Sequence, residues 1–286
     1  MSERFESQQN SKLAALTKTV DEGFRLDLEL HDALVGRQFF VLYQPMIALT
    51  NGAVIGAEAL LRWLHPTGRV RSPSEFIPRL EASGLITQVG RSVLETACRV
   101  GAGWHSCGHR MFVSVNVSAK QVQRDAFVDE VQRAVMTSGV EPSMLVLELT
   151  ESALVSGDQA TVSRLAKLKT LGVRLAIDDF GTGFSSFAYL QQFPIDLLKI
   201  DQCFISRLID SPTMRAIVET LVQLGQTLGL EVIAEGIETP EQRDLLVALG
   251  VVEGQGYLFS RPLDERDLVA LLGRGRTGEL PVGAHP

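Results

Sequence analysis

The chain has 286 residues, 45% of them hydrophobic and 21% charged, proportions of an ordinary globular protein rather than a disordered or fibrous one. A formal net charge of −7 excludes a surface that gathers nucleic acid polymers or anionic membrane by general attraction, so an anionic substrate needs a local positive source such as a bound metal. Three irregularly spaced cysteines, Cys98, Cys107 and Cys203, exclude a disulfide framework and fit a reducing compartment. The first residues show neither the basic start nor the apolar run of a secretion signal, and no stretch nears the roughly 18 apolar residues of a membrane span. A cytoplasmic protein without membrane insertion is expected.

In chain order, residues 1 to about 20 are polar, and the apolar positions between Val20 and Leu34 predict a helix leading into the domain, so 1–36 is set apart as a helical lead-in. FFVLYQPMI, the turn at Thr50-Asn51-Gly52, and Ala53 to Trp63 predict an antiparallel hairpin. Strands then alternate with helices. Strands are placed near 111–117, 144–149, 173–178, 196–201, 231–235 and 252–258, with helices such as 88–104, 158–171, 212–228, 240–249 and 264–272 between them. Gly172, Gly229 and Gly250 each close a helix ahead of a strand. Alternation argues for a parallel sheet. Eight strands suggest an α/β fold closed as a TIM-type (β/α)8 barrel variant with one antiparallel member, spanning 37–273, and an open doubly wound sheet is the alternative that alternation leaves. The tail 274–286 is expected to be disordered.

Side chains alternate across a strand, and the face opposite the apolar one is polar at one end of strand after strand. Ser114 and Asn116, Glu148, Asp178, Lys199 and Asp201, Glu235, and Glu58 with Arg62 fall in such places. In barrels of this class the site forms at the C-terminal strand ends, where residues far apart in sequence converge. Convergence of Glu58, Glu148, Asp178, Asp179, Asp201 and Glu235 gathers six negative charges against the single positive charge of Lys199. Such crowding demands protons or counter-charges. Two divalent ions would nearly neutralise it, and oxygen donors favour Mg2+ or Mn2+. Two such ions roughly 4 Å apart would activate water and steady an in-line phosphoryl displacement.

YQP (43–45), EALLRW (58–63), NVS (116–118), ELTES (148–152), DDFGTGFSS (178–186), KID (199–201), AEGIE (234–238) and QGYLFSRP (255–262), in this order, resemble the EAL domain family. Its members are cyclic di-GMP phosphodiesterases, which yield linear pGpG, or silent relatives that only bind the dinucleotide. The resemblance implies Glu58, Asn116, Glu148 and Asp178 as ligands of a first metal. It implies Asp178, Asp179 and Glu235 as ligands of a second, with Glu235 a candidate general base. Lys199 would orient the attacking water and Arg62 would contact a phosphate. Gln44, Asp201, Glu238 and Gln255 would hold the substrate, and Glu151 would fix the Asp178–Ser186 loop. A homodimer and an upstream sensory or cyclase domain are further implications. Phe184 and Leu80 depart from the family's usual tyrosine and alanine, and neither offers a charge or ligand atom. The full set of carboxylates and the lysine favours an active phosphodiesterase over a silent receptor.

Other signals carry less. Asp179-Phe180-Gly181 spells a kinase motif without a kinase catalytic loop. The His105-Cys107-His109 cluster could suggest zinc, but it enters a strand from the end opposite the site and reads as a solvated loop.

Overall fold

Nine strands and the helices between them make up the computed structural model, which describes residues 23–154, 158–181 and 192–274. The strands are β1 (Phe39–Ala48), β2 (Val54–Leu64), β3 (Val70–Arg71), β4 (Phe112–Val117), β5 (Leu145–Thr150), β6 (Arg174–Phe180), β7 (Leu197–Ile200), β8 (Glu231–Ala234) and β9 (Glu253–Gly254). Their order is β1-β9-β8-β7-β6-β5-β4-β2-β3, and a further β1–β2 pairing closes the ring. From β2 through β4 to β9 neighbouring strands are parallel, while β1 meets β9 antiparallel. Closure with one antiparallel member settles the choice between barrel and open sheet. The two-residue β3 stands outside the ring as an antiparallel partner of β2, and the eighth barrel strand is far shorter than the predicted 252–258.

Helices Ile86–Ser106, Gln159–Thr170, Pro212–Leu228, Pro240–Ala248 and Glu265–Arg274 occupy the expected gaps. Gly172, Gly229 and Gly250 each have positive φ, as helix-closing glycines require. No helix among the described residues is long and apolar enough to cross a membrane.

The described chain divides into two compact units, one of residues 23–40 and 62–89 and one of 41–61 and 90–274. This division cuts differently from a boundary at residue 36, because the smaller unit joins the lead-in helix to the segment after β2. Within it Trp63 is buried; its indole N–H donates to Gln38 Oε1 at 3.0 Å and its ring meets Phe76 edge-on at 5.8 Å. Helix 23–35 buries Leu30 and Ala33, and Asp27 accepts a two-point bond from the Arg79 guanidinium. The expected tail 274–286 and the first 22 residues lie outside the described residues, save Arg274.

Within the larger unit, alternation sends one residue in two to the barrel interior. Met46, Phe112, Val146, Ala176, Leu197 and Ile233 form one buried apolar layer there. Gly56 fits against that layer by having no side chain: a Cβ would lie 2.6 Å from the Phe112 ring. This layer plugs the barrel below the polar strand ends.

Candidate active site

Two residues further along the same inward face, strand after strand carries a polar side chain. Glu58 of β2 and Glu148 of β5 are 5% and 1% exposed, and Asp178 of β6 is 8% exposed. Lys199 of β7, at 1% exposure, lies among them. Its ammonium is 2.6 Å from Glu148 Oε2, 2.6 Å from Glu235 Oε1, 3.1 Å from Asp178 Oδ1 and 3.5 Å from Glu58 Oε2. One buried cation thus meets four carboxylates contributed by the ends of four strands.

Amides hold the carboxylates in place. Asn116, at the exposed end of β4, donates to Glu58 Oε1 at 2.6 Å. Gln255, just past β9 and 5% exposed, donates to Glu58 Oε2 at 2.6 Å and to Glu235 Oε1 at 3.1 Å. Gln255 therefore ties together two carboxylates far apart in the chain. The inward face at Ser114 also carries a buried hydroxyl, and Ser114 Oγ and Gln255 Oε1 have no hydrogen-bond partner among the described residues. Ser114 was visible in the alternation of β4 but, being uncharged, drew no role.

After Asp178 the chain turns. Asp179 has φ +54, a left-handed conformation that aspartate tolerates better than most residues, and its N–H donates to Asp178 Oδ1 at 3.1 Å. Carboxylate oxygens of Asp178, Asp179 and Glu235 come within 4.8 Å of one another. At the loop's first described residues Gly181 N–H donates to Glu151 Oε2 at 3.3 Å; Phe184 and the rest of the loop to residue 191 lie outside the described residues. Asp201 caps the short helix Gln202–Ile205 by accepting the Cys203 N–H at 2.9 Å.

The remaining expected contacts lie on β1, after β8 and at the end of β2. Gln44 is half-buried on β1, on the same face as the plug residue Met46. Glu238 is exposed, and its N–H donates to Gln242 Oε1 at 2.7 Å. Arg62, half-buried near the end of β2, belongs to the smaller unit. His105 binds the Met111 carbonyl at 2.8 Å through its ring, and among the described residues only Asp178, Asp179 and Glu235 group as a metal set.

Crowding shifts the ionisations. Burial and the neighbouring Glu58 charge push Glu148 up to about 8 against the pull of Lys199. Burial, Asp178 and Asp201 raise Asp179 to about 6. Burial likewise drives Glu235 well above the carboxylate range. Glu58 is the exception: burial opposes its charge, but Lys199 and the Gln255 and Asn116 amides hold its carboxyl below the usual value. Burial would also strip Lys199 of its proton, yet the four carboxylates raise it well above an ordinary lysine. The donor set of carboxylate oxygens, with the Asn116 and Gln255 amides bonded to them, around a point that already attracts a cation suits a hard divalent ion.

The fold and mouth define a closed (β/α) barrel whose rim gathers acidic side chains at the C-terminal ends of its parallel strands. Residues 27–262 match the EAL domain, and the chain belongs to the EAL domain family. It is 41% identical over 258 residues to the bifunctional diguanylate cyclase/cyclic di-GMP phosphodiesterase MucR of Pseudomonas aeruginosa, covering 90% of this chain and 38% of that protein. It is 43% identical over 240 residues to the cyclic di-GMP phosphodiesterase NbdA of the same organism, covering 84% of this chain and 31% of NbdA. The chain thus spans about a third of the length of either relative. Among solved structures it resembles the PaMucR phosphodiesterase in complex with c-di-GMP, with a TM-score of 0.82 at 42% identity, covering 85% of this chain and 99% of that one. The EAL enzyme Bd1971 bound to cAMP and cyclic di-GMP superposes with a TM-score of 0.87 at 31% identity, covering 91% and 72%.

Proposed function

We propose that this chain is a metal-dependent phosphodiesterase that opens cyclic di-GMP to linear pGpG and so lowers a bacterial second messenger in the cytoplasm. The observation that carries the reading is the meeting of Glu58, Glu148, Asp178 and Glu235 around Lys199. It gains support from the names of MucR and NbdA and from the dinucleotide in the PaMucR complex.

In this reading Glu58, Asn116, Glu148 and Asp178 hold one Mg2+ or Mn2+, and Asp178, Asp179 and Glu235 hold a second. Bound there, the ions supply a water that is acidic near neutral pH and positive charge for the phosphoryl oxygens. The chain's own groups do the rest. Lys199 orients the attacking water and balances charge that grows on the phosphate, from a site where exclusion of water makes its field effective. Asn116 and Gln255 keep Glu58 and Glu235 aimed. Glu235, at the same mouth, is the candidate to take the proton of that water. Water adds to phosphorus as the bond to the 3′ oxygen breaks, and that oxygen takes up a proton, which leaves a 5′ phosphate on pGpG. Arg62 contacts a phosphate, and Gln44, Asp201, Glu238 and Gln255 orient the nucleoside parts. Glu151 fixes the Asp178–Ser186 loop, accepting the Gly181 N–H.

Incubation with cyclic di-GMP and Mg2+ or Mn2+, followed by chromatography, tests the reading. pGpG should accumulate with the ion and stop with a chelator. Tight binding without turnover over hours would instead make this chain a receptor. An upstream sensory or cyclase domain is part of the same proposal, and MucR is named as a diguanylate cyclase as well as a phosphodiesterase.

A further inference from the structure

Above the apolar plug, each strand's next inward residue enters the mouth. Glu148 follows Val146 in this way, Asp178 follows Ala176, Lys199 follows Leu197 and Glu235 follows Ile233. On β4 the residue that follows Phe112 is Ser114, and it is 0% exposed. β4 lies between β2 and β5 in the sheet, and Ser114 is the register partner of Glu58. Residues paired in this way share a face. The Ser114 hydroxyl therefore lies in the carboxylate layer, on the strand between those of Glu58 and Glu148.

Ser114 Oγ has no hydrogen-bond partner among the described residues, although its neighbours in the layer are acceptors. A buried hydroxyl left in this state is costly and rare in native proteins. An alanine would fit the same place without that cost, so packing does not account for a serine. Glu58 does account for it. In the ion-free mouth Lys199 Nζ lies 3.5 Å from Glu58 Oε2. With a divalent ion at the same carboxylates, like charge weakens that contact. A neutral hydroxyl is not repelled, and a small turn of either side chain brings it into play. We propose that Ser114 is a positioning residue for the first ion: its hydroxyl donates to Glu58 when the ion is bound and keeps that carboxylate aimed. The inference rests on the metal-dependent reading of the mouth and adds a residue that reading does not use.

Calorimetric titration of the full chain with Mn2+, beside thermal melts of the ion-free protein, tests it. Ser114→Ala should weaken Mn2+ binding about tenfold, the scale on which losing a bond to a metal ligand acts. The ion-free variant should melt no lower than wild type, because the deleted hydroxyl has no partner there. Ser114→Cys keeps nearly the same size but donates weakly, and it should lose affinity in the same way. Turnover of Ser114→Ala should fall at limiting Mn2+ and recover when the ion saturates. A merely structural serine would give the reverse pattern, a lower ion-free melting temperature with Mn2+ affinity unchanged. Wild-type affinity in Ser114→Ala or Ser114→Cys, beside a weakened Glu58→Ala, would overturn the role of Ser114 and leave the reading of the mouth standing. A wild type that takes up no Mn2+ would overturn that reading, and this inference with it.

Discussion

Lys199 is the residue on which the mouth's electrostatics turn. It is buried among four carboxylates, and removing one member of a buried ion network leaves uncompensated charge at a cost of about 3–5 kcal/mol. Lys199→Met, close to it in volume, should therefore lower the melting temperature of the metal-free protein, and Mg2+ or Mn2+ should recover much of the loss. Turnover should fall by orders of magnitude even with ions bound, while ion affinity is kept or raised because a competing cation is gone. Glu58→Ala should behave in the opposite way toward the ion, losing affinity along with activity. Calorimetric titration with Mn2+ beside the hydrolysis assay separates the two. Equal loss of ion affinity in both variants would contradict the distinct roles. The individual residues of the mouth were readable because a period of two puts every second side chain on one face, so Glu58, Glu148, Asp178, Lys199 and Glu235 could each be set at an inward strand end. Their mutual distances were not readable. Which carboxylates Lys199 reaches depends on the stagger between strands, and nothing in a single strand's sequence encodes that stagger. The Gln255 bridge was hidden for the same reason: Glu58 and Glu235 come to it from other strands.

At the level of elements, the segment after β9 shows how a glycine can govern a site it does not enter. Gln255 N–H donates to Ala234 O at 2.9 Å, Ile237 N–H to Gln255 O at 3.0 Å, and Leu258 N–H to Ile237 O at 2.9 Å. These bonds stitch residues 255–258 onto the segment that carries Glu235. The approach is so close that a Cβ on Gly256 would sit 2.1 Å from the Ile237 carbonyl oxygen, which is backbone and cannot swing aside. Gly256→Ala should cost about 1–3 kcal/mol, as overpacking does, or a melting temperature lower by about 2–4 °C per kcal/mol for a chain of this size. It should also lower turnover, because Gln255 moves with its neighbour. Gly273→Ala is the control: nothing lies within 4 Å of its Cβ, and in a helix alanine is the better residue. Equal melting temperatures for the two variants would remove the argument. The same segment explains why the sequence suggested a strand over 252–258. The backbone continues the ladder's hydrogen bonds after β9 but bends at Gly256, so regular pairing ends at Gly254. By contrast the helices after β5, β7 and β8 sit within a residue or two of their predicted limits, since 3.6-residue periodicity and closing glycines act locally. β3 was invisible because two residues carry no period at all.

For the molecule as a whole, closing the ring forces like charges together, and pH and divalent ions must act on the same balance. Burial and Glu58 raise Glu148 to about 8, and burial and Asp178 raise Asp179 to about 6. A carboxyl whose proton affinity is higher folded than unfolded stabilises the fold fully below its unfolded value, and that stability is lost as pH rises through the folded value. The metal-free protein should thus melt at progressively lower temperature as pH is raised from about 5 to about 8, the window bounded by these two groups and their unfolded references. Glu58, held below the usual range, acts in the opposite sense, but its contribution is already complete above the unfolded carboxylate value and adds no slope in this window. Ions need deprotonated ligands, so their affinity should climb across the same range and protons should be released on binding. The melting temperature gained by adding Mg2+ or Mn2+ should therefore widen from pH 5.5 to pH 8. Glu148→Gln, which cannot ionise, should flatten most of the metal-free decline and remove part of the ion's effect. Thermal melts of both proteins with and without ion at three pH values measure all of this. A metal-free wild type that gains stability toward pH 8, or a Glu148→Gln variant with an unaltered slope, would show that the crowded carboxylates do not set the molecule's response to protons.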